Sequence, residues 1–293
     1  MMVDLVRTRA TDDLRLDGAL QLPPGGRRTQ LSIDAIICLH GVGSNFYTFS
    51  LAEQITPHLL DLGIAVLWAN TRGHDGLYTT LAAGLRRRQG AAYEIVDECR
   101  HDIAAWLNFL IERGYQRVGL FGHSLGAIKA VYYAAHQREP QVRAIVAASP
   151  ARLSYQAFQD SDQGSLFRAA MDTAQLHLRQ GQPEALLEAQ VPFPLVIAAS
   201  AYVDKYGPAD RYDVLKSADR LPCPTLFTFG SVELERGGVA FAGLPELLAA
   251  LPRQEPPLDI VTIPAADHLY SNAHKALAEE VVGWLSATFR AVS

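Results

Sequence analysis

The chain has 293 residues, 49% of them hydrophobic and 19% charged, with a formal net charge of -5. That length and apolar content suffice for a large core, built as one domain or as one domain with an insertion. The one dense basic run, Arg86-Arg87-Arg88, is too short to track a phosphate backbone, which argues against a nucleic-acid partner and against strong electrostatic attachment to an anionic membrane.

In chain order, the opening MMVDLVRTRATDD has no apolar stretch of signal-peptide length, and no later run approaches the length of a membrane span. Residues 3–22 read as one or two short strands ending at the turn Pro23-Pro24-Gly25-Gly26. Ala35–Leu39 is an apolar strand, with Cys38 as a small buried hydrophobe, and it stops abruptly at His40-Gly41-Val42-Gly43. Residues 49–60 have helical spacing with Gly63 just beyond, and 64–69 read as another strand. In 94–112, Ile95, Cys99, Ile103, Trp106, Leu107 and Leu110 recur at helical intervals, and Gly114 closes the pattern. A strand over 118–121, a helix over 125–135 and a strand over Val142–Ala148 follow.

This alternation predicts an α/β fold with a mostly parallel sheet covered on both faces. It breaks after Pro150. Residues 151–220 instead hold helix-like mixtures such as 166–179 and 184–190, and the rhythm resumes with 225–229, 244–251, Leu258–Ile263 and a final helix over 272–289. The expected organisation is a core of 1–150 and 221–293 with an inserted, mostly helical cap over 151–220. The bland alternative is a surface excursion with no role at the site. Three cysteines, Cys38, Cys99 and Cys223, lack motif spacing; so odd and sparse a set fits a reduced, cytoplasmic protein better than a disulfide scaffold.

The strongest local signal is Gly122-His123-Ser124-Leu125-Gly126, between a predicted strand and a predicted helix. A serine forced onto so sharp a turn needs small residues two places away on either side, and the turn exposes its hydroxyl above the sheet. A hydroxyl is a poor nucleophile near neutral pH, so a base is required. His268 is best placed, following the last strand at the same sheet edge; His74 and His274 remain alternatives, while His58, His101, His136 and His177 fall in helical patterns. A carboxylate should orient that imidazole, and it should come from the loop after 225–229. Glu233, three residues past Gly230, is favoured over Glu235, over Asp267 beside the base, and over an acid elsewhere such as Asp204. The oxyanion donors expected are the N–H groups of Leu125, next to the serine, and of Val42, in the glycine turn that His40 ties down. No metal cluster, dinucleotide fingerprint or P-loop is present in the pattern, so no cofactor is expected.

With these pieces assembled, the sequence resembles the α/β-hydrolase superfamily. The matching segments are HGVGS at 40–44, NTRGHD at 70–75, GHSLG at 122–126, FTFGSVE at 227–233 and AADHLY at 265–270. The resemblance implies an eight-stranded, mostly parallel sheet. It also implies a triad of Ser124, Glu233 and His268, oxyanion donors at Val42 and Leu125, and a cap at 151–220 over the acyl pocket. Glu233 departs from the aspartate of most relatives, and the stretch between the RGH loop and the next helix is longer than in compact members. That stretch, with AVYYA at 130–134, is loosely similar to esterases acting on hydroxy-acid or siderophore-type esters.

The function expected is hydrolysis of a small ester-like substrate through an acyl-enzyme. The same residues would serve amides, thioesters, lactones or carbon–carbon bonds. A non-catalytic binding module is the alternative of another class, while a dehalogenase or epoxide hydrolase would need a carboxylate where Ser124 stands. Phe46, Tyr47, Tyr78, Phe158, Phe167, Phe193 and Tyr202 are candidates to line an aromatic pocket.

Overall fold

Short, mostly apolar runs become the central strands. A computed structural model, which describes residues 3–48, 50–252 and 255–290, opens with an antiparallel pair, β1 (Asp4–Arg9) and β2 (Arg15–Gln21). Then come β3 (Ala35–Leu39), α1 (Ser50–Asp61) and β4 (Ala65–Ala69). Phe49, where the spacing starts the first helix, lies outside the described residues. Both β3 and β4 are buried along their whole length, as strands covered on two faces must be. A hairpin of β5 (Tyr78–Ala82) and β6 (Leu85–Gln89) precedes α2 (Cys99–Ile111), β7 (Val118–His123), α3 (Leu125–Gln137) and β8 (Val142–Ala148).

Between β8 and the next sheet strand the chain inserts α4 (Tyr155–Asp160), α5 (Gly164–Arg179), a hairpin of β9 (Leu186–Ala189) and β10 (Leu195–Ala198), α6 (Ala199–Tyr206) and α7 (Val214–Ala218). It returns as β11 (Thr225–Gly230), α8 (Ser231–Arg236), α9 (Leu244–Ala249), β12 (Leu258–Ile263) and α10 (His274–Thr288). Two elements differ from expectation. The helix-like stretch 184–190 contains a strand: Leu187 and Ala189 alternate inward with a period of two, and the segment pairs antiparallel with β10. The β5–β6 hairpin, whose strands are largely exposed, occupies a stretch that carried no strand signal.

The eight-stranded sheet runs β1-β2-β4-β3-β7-β8-β11-β12. From β4 to β12 every pairing is parallel, while β1 and β2 are antiparallel additions at one edge. One face packs α2, α3 and much of the insertion; the other packs α1 and α10 through Leu51, Ile55 and Leu59 against Leu277, Val281 and Leu285. The chain leaves β3 toward β4 on one side and later fills the other side from β7 outward. The loops after β3 and β7 therefore part in opposite directions and leave a crevice at the carboxyl ends of the strands. Beside it, buried Arg72 pairs with Asp102 at 2.8 Å, Asp12 at 2.9 Å and Glu98 at 2.8 Å, which gives the loop after β4 a structural anchor. Among the described residues, no helix is long and apolar enough to cross a membrane.

Candidate active site

Ser124 is the single residue between β7 and α3, with φ 56° and ψ -123°. A non-glycine residue in such a conformation costs on the order of 1–3 kcal/mol and persists only where its surroundings enforce it. Two glycines permit the enforcement. A Cβ on Gly122 would lie 2.2 Å from the carbonyl oxygen of Gly126, and one on Gly126 would lie 2.2 Å from that of Leu39. The Ser124 N–H donates to the Ala148 carbonyl at 2.9 Å, fastening the turn to the end of β8.

His268 lies in the loop between β12 and α10. Its Nε2 is 3.1 Å from Ser124 Oγ, and its Nδ1 pairs with Glu233 Oε1. Glu233 sits in α8, which begins directly after β11, and is buried. Its second oxygen accepts from the Ser149 hydroxyl at 2.7 Å and from the Gly230 N–H at 3.2 Å. Ser149 Oγ in turn stands 2.9 Å from the Tyr270 hydroxyl. A carboxylate facing Nδ1 favours the proton there, leaving Nε2 as the acceptor toward the serine. His123 braces the same loop: its Nε2 donates to the His268 carbonyl at 2.7 Å. Burial, with a smaller contribution from His268, pushes His123 down to about 3, so the brace is a neutral imidazole.

The competing candidates are engaged elsewhere. Glu235 is exposed. Asp267 accepts from the Leu269 and Ser271 N–H groups, and Asp204 is bound by Tyr212, Arg211 and the Val96 N–H. His74 contacts Asp75, and His274 reaches the Leu269 carbonyl. Val42 and Leu125 both face the cavity that holds Ser124 and His268. Leu125 is the first residue of α3, where an N–H has no acceptor within the helix. The loop carrying Val42 comes close: a Cβ on Gly41 would be 3.1 Å from that of Ser124.

The cavity encloses about 560 Å³, and its walls include Ile128, Leu153, Pro192, Phe193, Tyr206 and Phe241. Among the described residues, no aspartate, glutamate, lysine or arginine lines it. Of the aromatics suggested by sequence, Phe193 alone is on this wall. Phe158, Phe167 and Tyr202 are instead fully buried together inside the insertion, with ring centroids 5.4 Å and 6.3 Å apart along that series. Tyr206, one helical turn past Tyr202, and Phe241, whose ring stands 5.3 Å from that of His268, take the places that sequence reading missed. Ser149 and Tyr270 were missed as well; Tyr270 lies two residues past His268, a nearness that could have raised the question. Among the described residues, no three His, Cys, Asp or Glu side chains converge to hold a metal ion.

The family model described as "Alpha/beta hydrolase family" matches residues 36–280. No curated protein matches the sequence. Among solved structures, Est1E from Butyrivibrio proteoclasticus with ferulic acid bound superposes with a TM-score of 0.66 at 17% identity, covering 96% of this chain and 98% of that one. The alpha/beta hydrolase GrgF from Penicillium sp. sh18 gives 0.69 at 14% identity, covering 98% and 99%. A dienelactone hydrolase from Anabaena variabilis gives 0.57 at 17% identity, covering 99% and 100%. At such identities the likeness is one of fold.

Proposed function

This chain belongs to the alpha/beta hydrolase family, and from that premise we propose that it hydrolyses uncharged carboxylic esters with Ser124 as nucleophile, His268 as base and Glu233 as the acid that orients it. The observation that carries this reading is the unbroken line from Glu233 through both ring nitrogens of His268 to Ser124 Oγ, 3.1 Å from Nε2, on the wall of an apolar cavity.

In the reaction, Ser124 Oγ attacks the acyl carbon while Nε2 takes its proton, and the carbonyl oxygen becomes an oxyanion held by the Val42 and Leu125 N–H groups. The imidazolium, stabilised by Glu233, returns that proton to the departing alkoxide. Water then enters, loses a proton to Nε2 and releases the acid, restoring Ser124. The cavity has no charged side chain among the described residues to solvate an ionic acyl group, which favours apolar acyl and alcohol moieties. The insertion, through Pro192, Phe193 and Tyr206, would act as a cap that selects among them.

The test is labelling with a fluorophosphonate together with turnover of a panel of p-nitrophenyl esters. The label should be found on Ser124, and Ser124→Ala should lower kcat by on the order of 10⁴ or more with little change in Tm. Residual turnover above about 1% in clean protein would remove Ser124 from the role.

A further inference from the structure

Three charged side chains from distant parts of the chain meet in the interior. Glu94, just before α2, and Lys129, on α3, are 0% exposed and pair at 2.5 Å; Lys205, on α6 of the insertion, reaches the other oxygen of Glu94 at 3.5 Å. Gly73 makes the room, since a Cβ there would lie 2.1 Å from Glu94 Oε1. Burial pushes the Glu94 carboxyl up, but the two ammonium groups outweigh it and hold it at about 2. Burial in a dry interior is costly for ions, and a cluster of two cations on one anion is a poor way merely to add stability.

The cluster continues toward the site. Lys129 Nζ donates to Thr71 Oγ1 at 2.9 Å, which leaves the Thr71 hydroxyl proton free to point at His40 Nε2, 3.1 Å away. The Thr71 N–H also donates to that nitrogen at 3.1 Å. With Nε2 accepting, the ring proton is on Nδ1, which donates to the Gly41 carbonyl at 2.8 Å. Burial, reinforced by Lys129, pushes His40 down to about 3 and keeps it neutral. Across a planar trans peptide, C=O and N–H point in opposite directions. Holding the Gly41 carbonyl on His40 therefore turns the Val42 N–H away from it, on a loop that lines the cavity beside Ser124.

We propose that the insertion sets the oxyanion geometry through this buried chain, with Lys205, Glu94, Lys129 and Thr71 acting as positioning residues for the Gly41–Val42 peptide. The inference rests on the ester-hydrolase reading of Ser124. Its first links, Lys205–Glu94 and Glu94–Lys129, are ion pairs and its later ones, from Lys129 through Thr71 and His40 to Gly41, are hydrogen bonds, so cutting it at either end loosens the same peptide.

Two substitutions cut it differently. Thr71→Val is nearly isosteric and removes the hydroxyl link, while Lys205→Met leaves Glu94 and Lys129 as a balanced pair, so the fold should survive. The readouts are kcat and KM for p-nitrophenyl butyrate, and the affinity of a trifluoromethyl ketone that forms a tetrahedral adduct on the serine. Each variant should lose about tenfold or more in kcat with KM within about twofold, and adduct affinity should fall in step, since an oxyanion donor acts on the tetrahedral state alone. A drop in Tm with kcat and adduct affinity unchanged in both variants would make the cluster a structural weld and overturn the proposal. Failure of the parent reading looks different: the unsubstituted protein would then neither turn over the ester nor be labelled at Ser124, and the proposal would fall with it.

Discussion

Glu233 differs from Glu235 by burial and by neighbours, not by chemistry. Its two oxygens face His268 Nδ1 on one side and the Ser149 hydroxyl and Gly230 N–H on the other, so both oxygens are engaged. An amide at this position could turn its NH₂ toward Nδ1, which would move the imidazole proton to Nε2 and leave nothing to accept from Ser124. Glu233→Gln should therefore lower kcat by about 10²–10⁴. Glu235→Gln, on the exposed side of the same short helix, should leave kcat within about twofold. Steady-state kinetics on both variants decides it; the reverse ranking would give the acid's role to Glu235. Val42→Ala should leave the oxyanion contribution largely intact, because the donor proposed there is a backbone group.

At the scale of elements, the insertion separates two jobs that its aromatic residues could each have held. Phe193 follows β9 and is 42% exposed on the cavity wall, whereas Tyr202 is fully buried on α6 and donates its hydroxyl to the Val191 carbonyl at 3.1 Å. Phe193→Ala should enlarge the cavity and shift the ratio of kcat/KM between short and bulky esters toward the bulky ones. Tyr202→Ala should cost about 3–5 kcal/mol of stability, the range for removing a large buried aromatic, with a much smaller change in that ratio. Denaturant melts beside kinetics on two esters distinguish the roles, and an unchanged ratio for Phe193→Ala would remove Phe193 from substrate selection. The elbow depends on a tighter junction between elements: β7, α3 and β3 meet where Gly122 and Gly126 have no side chains, and a methyl group at either would strike backbone.

For the molecule as a whole, the buried polar groups predict how stability responds to acid. His40 and His123 have an ordinary value of 6.5 and are both held near 3 in the fold, chiefly by burial. A group depressed on folding contributes stability that is complete above its unfolded value and is lost as pH falls through its folded one. These two histidines therefore withdraw support between pH 6.5 and about 3. Glu94, depressed from 4.5 to about 2, adds a second loss over that lower window. Tm should decline steadily from pH 6.5 downward and steepen below pH 4.5. His123→Gln, which keeps an N–H donor for the His268 carbonyl without a titrating ring, should show a shallower decline above pH 4.5 when melts are compared across the range. An identical slope would mean that His123 is not among the groups linked to unfolding.

What the sequence by itself determined is whatever depends on neighbours close along the chain. The apolar run at Ala35–Leu39 reads as a strand buried on both faces, and Gly122 and Gly126 flank Ser124 within five residues of one another. The positions of His268 and Glu233 were legible because each follows a sheet strand, and parallel strands deliver their following loops to one edge. Tertiary structure alone decided what those loops meet there. Ser149, Tyr270, Tyr206 and Phe241 carry no pattern, since their importance comes from strands placed side by side by the sheet order. The 184–190 stretch misled because seven residues are too few to tell a helical period from a strand's alternation, and pairing with β10 settled the matter. Glu94, Lys129 and Lys205 are the clearest case: charged residues ordinarily belong in water, and only packing that brings opposite charges together from three separate segments can hold them in the interior.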